Sequence, residues 1–174
     1  MPGPISTYLE DDHALIDRLL DDAVTNPDSF DHSAFERARA RLLRHIGIEE
    51  KILLPDARHR RGERPLPIAR LLRRDHGAIA SLLVPTPDHA LVGELRRILA
   101  AHNPLEEGPH GLYATCEELA LDEVGALLRR VVAAGEARPA KHFDGPRAIR
   151  TAVEALARSS AALGARPSTQ DEDP

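Results

Sequence analysis

The sequence predicts an all-α protein, and three observations support this fold class. Apolar residues recur with the 3.6-residue period of an amphipathic helix along much of the chain, whereas no segment has a convincing strand pattern. Breakers such as "TNPDS" and "PTPD" separate the periodic segments. The chain also contains two related pairs of helical segments, which favours an antiparallel up-down four-helix bundle with one or two extra C-terminal helices.

Six helical segments are expected along the chain. Their approximate ranges are 6–24, 31–58, 66–84, a fourth segment that starts near 88, then 122–135 and 146–163. Pro55 should end or kink the second segment. The far end of the fourth segment is open, because Pro104, Gly108 and Pro109 follow one another closely. We expect this segment to kink at Pro104 or to restart there.

These segments suggest one main domain with an extension. We expect residues 1–120 to form the helical bundle, 121–164 to form a helical extension of unknown role, and 165–174 to be a disordered acidic tail. The chain has 174 residues, of which 42% are hydrophobic and 29% charged, as in a soluble globular protein. No apolar run approaches the ~20 residues that a membrane span needs, so no membrane partner is expected.

Composition also limits which cell compartment and which binding partners are expected. The N-terminus lacks the basic and apolar regions of a secretion signal. A single cysteine, Cys116, excludes an internal disulfide and any cysteine-based zinc site, and it favours a reducing cytoplasm. The net charge of −5 argues against nucleic acid as a partner, and we interpret the basic stretch "RHRRGERP" (58–65) as a solvated linker.

The chain contains an internal repeat. "ISTYLEDDHALIDRLL" (5–20) matches "IARLLRRDHGAIASLL" (68–83) at a constant offset of 63, and the matches include both Asp-His pairs. "HIGIEE" (45–50) matches "HNPLEE" (102–107) at an offset of 57. The sequence therefore reads as two helical hairpins of related sequence.

Every bundle helix carries a histidine within its apolar stripe, and two helices add a glutamate one turn later. The six residues are His13, His45, Glu49, His76, His102 and Glu106. In the second helix the predicted core line runs through Leu42, His45 and Glu49 to Ile52. A single inward histidine is usually a hydrogen-bonded core residue. Four of them with two carboxylates would leave unpaired polar groups in a dry interior at a large desolvation cost. A metal centre resolves this conflict, since imidazole and carboxylate are natural metal ligands.

The number and type of ligands indicate which metal is expected. Four imidazoles and two carboxylates exceed what one tetrahedral zinc site uses, and they suit two ions bridged by the carboxylates. Mixed imidazole and carboxylate ligation favours two iron ions, with manganese or zinc less favoured. The spacing is His-x-x-x-Glu, which differs from both the HExxH zinc motif and the Glu-x-x-His of ferritin-like di-iron proteins.

The doubled pattern, a histidine followed by His-x-x-x-Glu, resembles the bacterial hemerythrin-like HHE cation-binding domains. His13, "HIGIE" (45–49), His76 and "HNPLE" (102–106) match this pattern, and Pro55 follows where the family often has it. The resemblance covers about residues 5–120. It implies an oxo- or hydroxo-bridged di-iron centre in a four-helix bundle that reacts with O2, NO or peroxide.

The chain departs from oxygen-carrying hemerythrins at its third and fourth helices. Where they have a further histidine one turn after the third-helix histidine, this chain has Ala80, so we expect six ligands and a more open iron. In the fourth helix the carrier-type acidic residue corresponds to Glu107, which stays an alternative to Glu106. We interpret His110 as a surface histidine, with an extra ligand or a distal hydrogen-bonding group as the alternative.

Asp12 and Asp75 each precede a candidate ligand histidine. Because adjacent helical residues point about 100° apart, Asp12 is either a hydrogen-bond partner for a histidine of a neighbouring helix or an ordinary acidic residue of the helix surface. The predicted function is a non-haem di-iron protein that binds or senses O2, NO or redox state. Two alternatives remain: a di-iron enzyme acting on peroxide or NO, and an iron-handling or regulatory protein whose residues 121–174 contact a protein partner.

Overall fold

Two pairs of packed helices form the framework of the protein. A computed structural model describes residues 2–165, where every regular element is helical. The α-helices are α1 (Pro4–Val24), α2 (His32–Ile48), α3 (Leu54–Arg60), α4 (Ala69–Leu82), α5 (His89–Glu107), α6 (Leu112–Ala120), α7 (Val124–Val132) and α8 (Ala152–Gly164). A π-helical turn (Glu49–Leu53) joins α2 to α3, and a 3-10 turn (Leu121–Glu123) precedes α7. α1 packs on α2, α4 packs on α5, and α1 also contacts α5.

Side-chain caps fix the first residues of three helices. Asp31 and Asp88 accept hydrogen bonds from backbone N–H groups in the first turns of α2 and α5, at 3.0 and 2.8 Å. Thr151 does the same for α8 by accepting from the N–H of Glu154. The helix expected from residue 146 therefore begins at Ala152, because a Thr cap with a glutamate three residues later starts a helix there.

Pro55 does not end the second predicted segment, which continues as α2, the π-helical turn and α3. The N–H of Leu54 donates to the carbonyl of Glu49, five residues back, and Pro55 occupies the first turn of α3, where its missing N–H costs little. A π-helical turn takes one residue more than an α-helical turn. The apolar face therefore shifts by one position: Leu53 is buried, whereas Ile52, expected in the core, is only half-buried.

Pro104 lies inside α5, which neither ends nor restarts there. The helix continues to Glu107, so His102 and Glu106 remain one turn apart on the same buried face. The chain then turns back at Gly111, where an added Cβ would lie 2.5 Å from the carbonyl oxygen of Glu106. Glycine permits this close approach, and α6 packs against α1, α3 and α5.

The apolar core consists of two clusters with a polar layer between them. Leu9 and Leu72 belong to one cluster, whereas Ile16 and Ile79 belong to the other. On α1 and on α4, the predicted ligand histidine lies between the members of these two clusters. The four helices that carry the predicted ligands therefore enclose the layer with apolar side chains on both sides.

The C-terminal extension packs onto the rest of the structure. α7 contacts α1 and α6 and buries Leu127 and Val131, whereas α8 lies on α4 and α5 and buries Ala155. The predicted disordered tail, apart from Ala165, lies outside the described residues. Within residues 2–165, no helix has both the length and the apolar character that crossing a membrane requires.

The docking of α8 can be tested with two aspartate substitutions on the same helix. Ala155 is fully buried against α4 and α5, whereas Val153 is 78% exposed. Ala155→Asp buries an unpaired carboxylate and should lower the free energy of unfolding by about 2 kcal/mol or more, measured by urea denaturation. Val153→Asp should change it by no more than about 0.5 kcal/mol, and equal losses in the two variants would contradict this packing.

Candidate metal centre

The six predicted ligand residues are all buried, and the structure brings them into one layer. α1, α2, α4 and α5 each supply one histidine, the π-helical turn supplies Glu49, and α5 also supplies Glu106. Both glutamates have a relative exposure of 0%. The layer therefore holds two carboxylates and four imidazoles away from bulk water.

Within the described residues, these side chains form two groups in which the candidate ligand atoms lie within 4.8 Å of one another. The first group consists of His13, His45 and Glu106. The second group consists of Glu49, His76, His102 and Glu106. Glu106 belongs to both groups, so the two candidate metal positions are adjacent.

Glu106 faces imidazoles of both groups. Its Oε1 lies 2.8 Å from His102 Nε2 and 3.3 Å from His76 Nε2, and its Oε2 lies 3.4 Å from His13 Nε2. One carboxylate oxygen is therefore directed toward each group.

Glu49 also directs one carboxylate oxygen toward a histidine of each group. Its Oε1 lies 3.2 Å from His45 Nε2, and its Oε2 lies 3.1 Å from His76 Nε2. Although it is this close to an imidazole, Glu49 Oε2 is buried and makes no hydrogen bond. A buried carboxylate oxygen without a hydrogen bond is costly in a protein interior, and a cation between it and the imidazole would satisfy it.

The outer nitrogen of each imidazole is paired with a further carboxylate. Nδ1 of His45 lies 2.8 Å from Asp12, Nδ1 of His76 lies 2.7 Å from Glu50, and Nδ1 of His102 lies 3.4 Å from Asp75. The same nitrogen of His13 pairs with Glu107. All four Nε2 atoms consequently point inward, as they do in metal sites where a carboxylate orients each histidine.

Three of these outer carboxylates also contact arginines. Arg41 pairs with Asp12, Arg74 pairs with Asp75 at 2.6 Å, and Arg73 pairs with Glu50 at 3.2 Å. The positive charges hold the carboxylates in place and favour their ionised form. Asp12 of α1 thus contacts His45 of the neighbouring α2, which is one of the two roles considered from the sequence. Asp75 of α4 contacts His102 of α5 in the same way.

The remaining sequence candidates lie outside the two groups. Glu107, the alternative to Glu106, contacts the outer nitrogen of His13, and its side chain is 37% exposed. His110 is exposed beyond the end of α5 and belongs to neither group. Cys116 is buried, and its Sγ lies 3.8 Å from the carbonyl oxygen of Leu53. Burial raises the pKa of this thiol to about 12.

Tyr113 is a site residue that sequence reasoning missed. It lies on α6 with a relative exposure of 0%, and its hydroxyl has two possible acceptors, Glu49 at 2.8 Å and Glu106 at 3.1 Å. The same oxygen lies 3.0 Å from His45 Nε2 and 3.4 Å from His13 Nε2. Its position depends on the turn at Gly111, which helical periodicity does not reveal.

Charge pairing shifts the pKa values of three inward imidazoles, those of His45, His76 and His102. Burial alone would lower the pKa of His45, but the charge of Glu49 and hydrogen bonds with Asp12 and Glu49 raise it to about 10. The same balance between burial and carboxylate contacts raises the pKa of His76 to about 11 and that of His102 to about 9. Without a metal, these imidazoles therefore carry protons at neutral pH.

The carboxylates show the reciprocal effect. Burial opposes ionisation of Glu106, but hydrogen bonds with three imidazoles outweigh it and keep the pKa of Glu106 well below its usual range. Burial and the nearby Glu106 charge also oppose ionisation of Glu49, and its imidazole partners still lower its pKa. A metal ion would thus meet ionised carboxylates and would replace protons on the imidazoles.

These residues fit a metal centre, because imidazole and carboxylate donors converge without a thiolate and each imidazole has an outer partner. The buried Glu49, His76, His102 and Glu106 group could bind a metal ion, and the group around His13 offers a second position.

Comparisons of the chain with models of protein families, with curated proteins and with solved structures give no match.

The raised imidazole pKa values predict how the stability of the metal-free protein depends on pH. The folded state holds protons on His45, His76 and His102 more tightly than the unfolded chain, whose histidines have a pKa of 6.5. This contribution is complete below pH 6.5 and is lost as the pH rises through about 9 to 11. Urea denaturation of chelator-treated protein should therefore show a free energy of unfolding that falls from pH 6.5 to 9.

His59→Gln provides the control for this measurement, because the His59 side chain is 84% exposed and lies outside the layer. The variant should show the same decrease with pH. A free energy of unfolding that stays constant or rises over this interval would contradict the charged imidazole cluster.

Proposed function

We propose that this protein is a non-haem di-iron protein that binds or senses O2, NO or redox state, with its centre in a hemerythrin-like, antiparallel four-helix bundle. The main support for this proposal is the position of the Glu49 and Glu106 carboxylates. Each carboxylate directs one oxygen toward the imidazoles of the first group and the other oxygen toward those of the second group. Two carboxylates in this position suit a pair of metal ions that share them.

The donor set favours iron over the other common metals. Four imidazoles and two carboxylates are more donors than one tetrahedral zinc ion uses, and the absence of thiolates removes the usual soft ligands of zinc or copper(I). Magnesium and calcium prefer oxygen ligands, which are the minority here. We therefore assign the two positions to iron, with manganese as the less favoured metal.

The hemerythrin-like bundle is proposed from the sequence pattern together with the helix packing. The ligand residues come from two helical hairpins of related sequence, and these hairpins contact each other through α1 and α5. In this interpretation α1, α2, α4 and α5 are the four bundle helices. The π-helical turn and α3 continue the second of them, and α6 closes one end of the bundle.

The residues around the centre orient it and keep it dry. Asp12, Asp75 and Glu50 each accept a hydrogen bond from the outer nitrogen of an imidazole. A metal ion that replaced the Nε2 proton would therefore meet a lone pair directed inward. The apolar clusters on both sides of the layer exclude bulk water. When bound, the iron pair would supply redox chemistry and an open coordination position for a small ligand.

A cavity lies beside one side of the layer. It has a volume of about 370 Å³, lies between α2, α4 and α8, and has Glu50 and His76 among its lining residues. A diatomic molecule or peroxide is the ligand that we propose for the centre, because the six candidate ligand residues are buried and apolar side chains pack on both sides of them. A protein partner at the C-terminal extension stays a separate prediction.

Iron loading tests the proposed function directly. Protein loaded anaerobically with Fe²⁺ should bind two iron ions per chain and, after exposure to air, should show an absorption band of a ferric centre. His102→Gln removes an imidazole that faces Glu106 and should reduce the iron content to about one ion per chain, measured by elemental analysis.

His110→Gln is the matched control, because His110 lies on the surface just beyond the same helix. This variant should keep the full iron content. Fewer than about one iron per chain in the unaltered protein would refute the proposal, since the ligand set is suited to two ions.

The outer carboxylates provide a second test. Asp12→Asn removes the negative charge beside His45 Nδ1 and should weaken the affinity for iron by about 10- to 100-fold, measured by competition with a chelator. The neighbouring Asp11 is exposed, so Asp11→Asn changes the total charge equally and should leave the affinity unchanged. Similar losses in both variants would indicate a long-range charge effect and no orienting role for Asp12.

A further inference from the structure

The hydroxyl of Tyr113 lies among the inward atoms of the first metal group. It is within 3.0 Å of His45 Nε2, 3.4 Å of His13 Nε2 and 3.1 Å of Glu106 Oε2, and it lies 2.8 Å from Glu49 Oε1. The tyrosine is fully buried, and in the described structure every hydrogen bond of its hydroxyl involves one of these four residues. Tyr113 thus contributes a fifth oxygen or nitrogen atom to this side of the layer.

These distances are those expected between neighbouring ligands of one metal ion. Metal bonds of about 2.0 to 2.2 Å at right angles place adjacent ligand atoms about 3 Å apart. The Tyr113 oxygen satisfies this separation with two imidazole nitrogens and two carboxylate oxygens together. Donation of a single hydrogen bond would need only one acceptor.

Tyr113 also breaks the internal symmetry of the layer. At the offset of 57 that relates the two halves, the corresponding residue is Asp56, which pairs with Arg60 and Arg130. The second group therefore has His76 and His102 without an equivalent hydroxyl. The cavity that has Glu50 and His76 among its lining residues borders this second group at His76.

We propose that the Tyr113 oxygen is a ligand of the metal held by His13 and His45, and that the open position for a small ligand lies on the His76 and His102 side. The inference rests on the proposed di-iron function and specifies how its two metal positions differ. When the Tyr113 oxygen binds the metal, its O–H bond breaks and the proton leaves to the solvent. The electron pair of that bond becomes the donor pair of the phenolate.

The test is resonance Raman spectroscopy of the iron-loaded, air-oxidised protein, combined with iron analysis of the same sample. Phenolate bound to ferric iron gives a visible charge-transfer band, and excitation into this band enhances the ring vibrations of the tyrosine. The chain has two tyrosines. Tyr8→Phe should keep the phenolate signal, because Tyr8 accepts a hydrogen bond from Arg44 away from the layer, and Tyr113→Phe should lose the signal.

The iron content separates this inference from the proposed function. Two iron ions per chain without phenolate vibrations would overturn the role of Tyr113 and leave the di-iron proposal standing. Absence of bound iron would overturn both. If Tyr113→Phe does not fold, Tyr8→Phe decides the assignment alone, since a phenolate signal that remains in it belongs to Tyr113.

Discussion

Two carboxylates without access to water, Glu49 and Glu106, determine how the interior of this protein is arranged. An ionised carboxylate in an apolar core costs several kcal/mol unless charged or hydrogen-bonding groups compensate it. Here the compensation comes from four imidazoles, one each from α1, α2, α4 and α5, and from the hydroxyl of Tyr113 on α6. Five helices must therefore converge on one layer, and the turns between them are positioned by that requirement.

The internal repeat extends to the residues that surround this layer. Asp12 and Asp75, which correspond at the first offset, each contact the histidine of the other helix in their own hairpin. Glu50 and Glu107, which correspond at the second offset, each contact a histidine of the opposite hairpin. Each hairpin therefore completes the hydrogen bonding of the other, and neither has all its imidazoles paired by itself.

Helical periodicity predicted the all-helical fold and brought attention to all six inward polar residues, because a histidine or glutamate within an apolar stripe is visible in the sequence. The repeat also matches Glu50 with Glu107, which was already a candidate site residue. This match could have indicated that Glu50 lies at the site, where it contacts His76. Periodicity could not place Tyr113, since its position depends on a turn packed against the end of α5. Ile52 was assigned to the core on an α-helical period that the π-helical turn interrupts.

That π-helical turn gives one continuous helix two apolar faces with different phases. Phe35, Ala38 and Leu42 belong to the cluster on one side of the polar layer. Leu53, Leu54 and Ala57 belong to the other cluster, which includes residues of α6. A gain or loss of one residue after Glu49 would rotate α3 relative to α6 and would leave His45 and Glu49 on their original face. The turn is therefore the position that sets the phase between the face with His45 and Glu49 and the face of α3 that packs on α6.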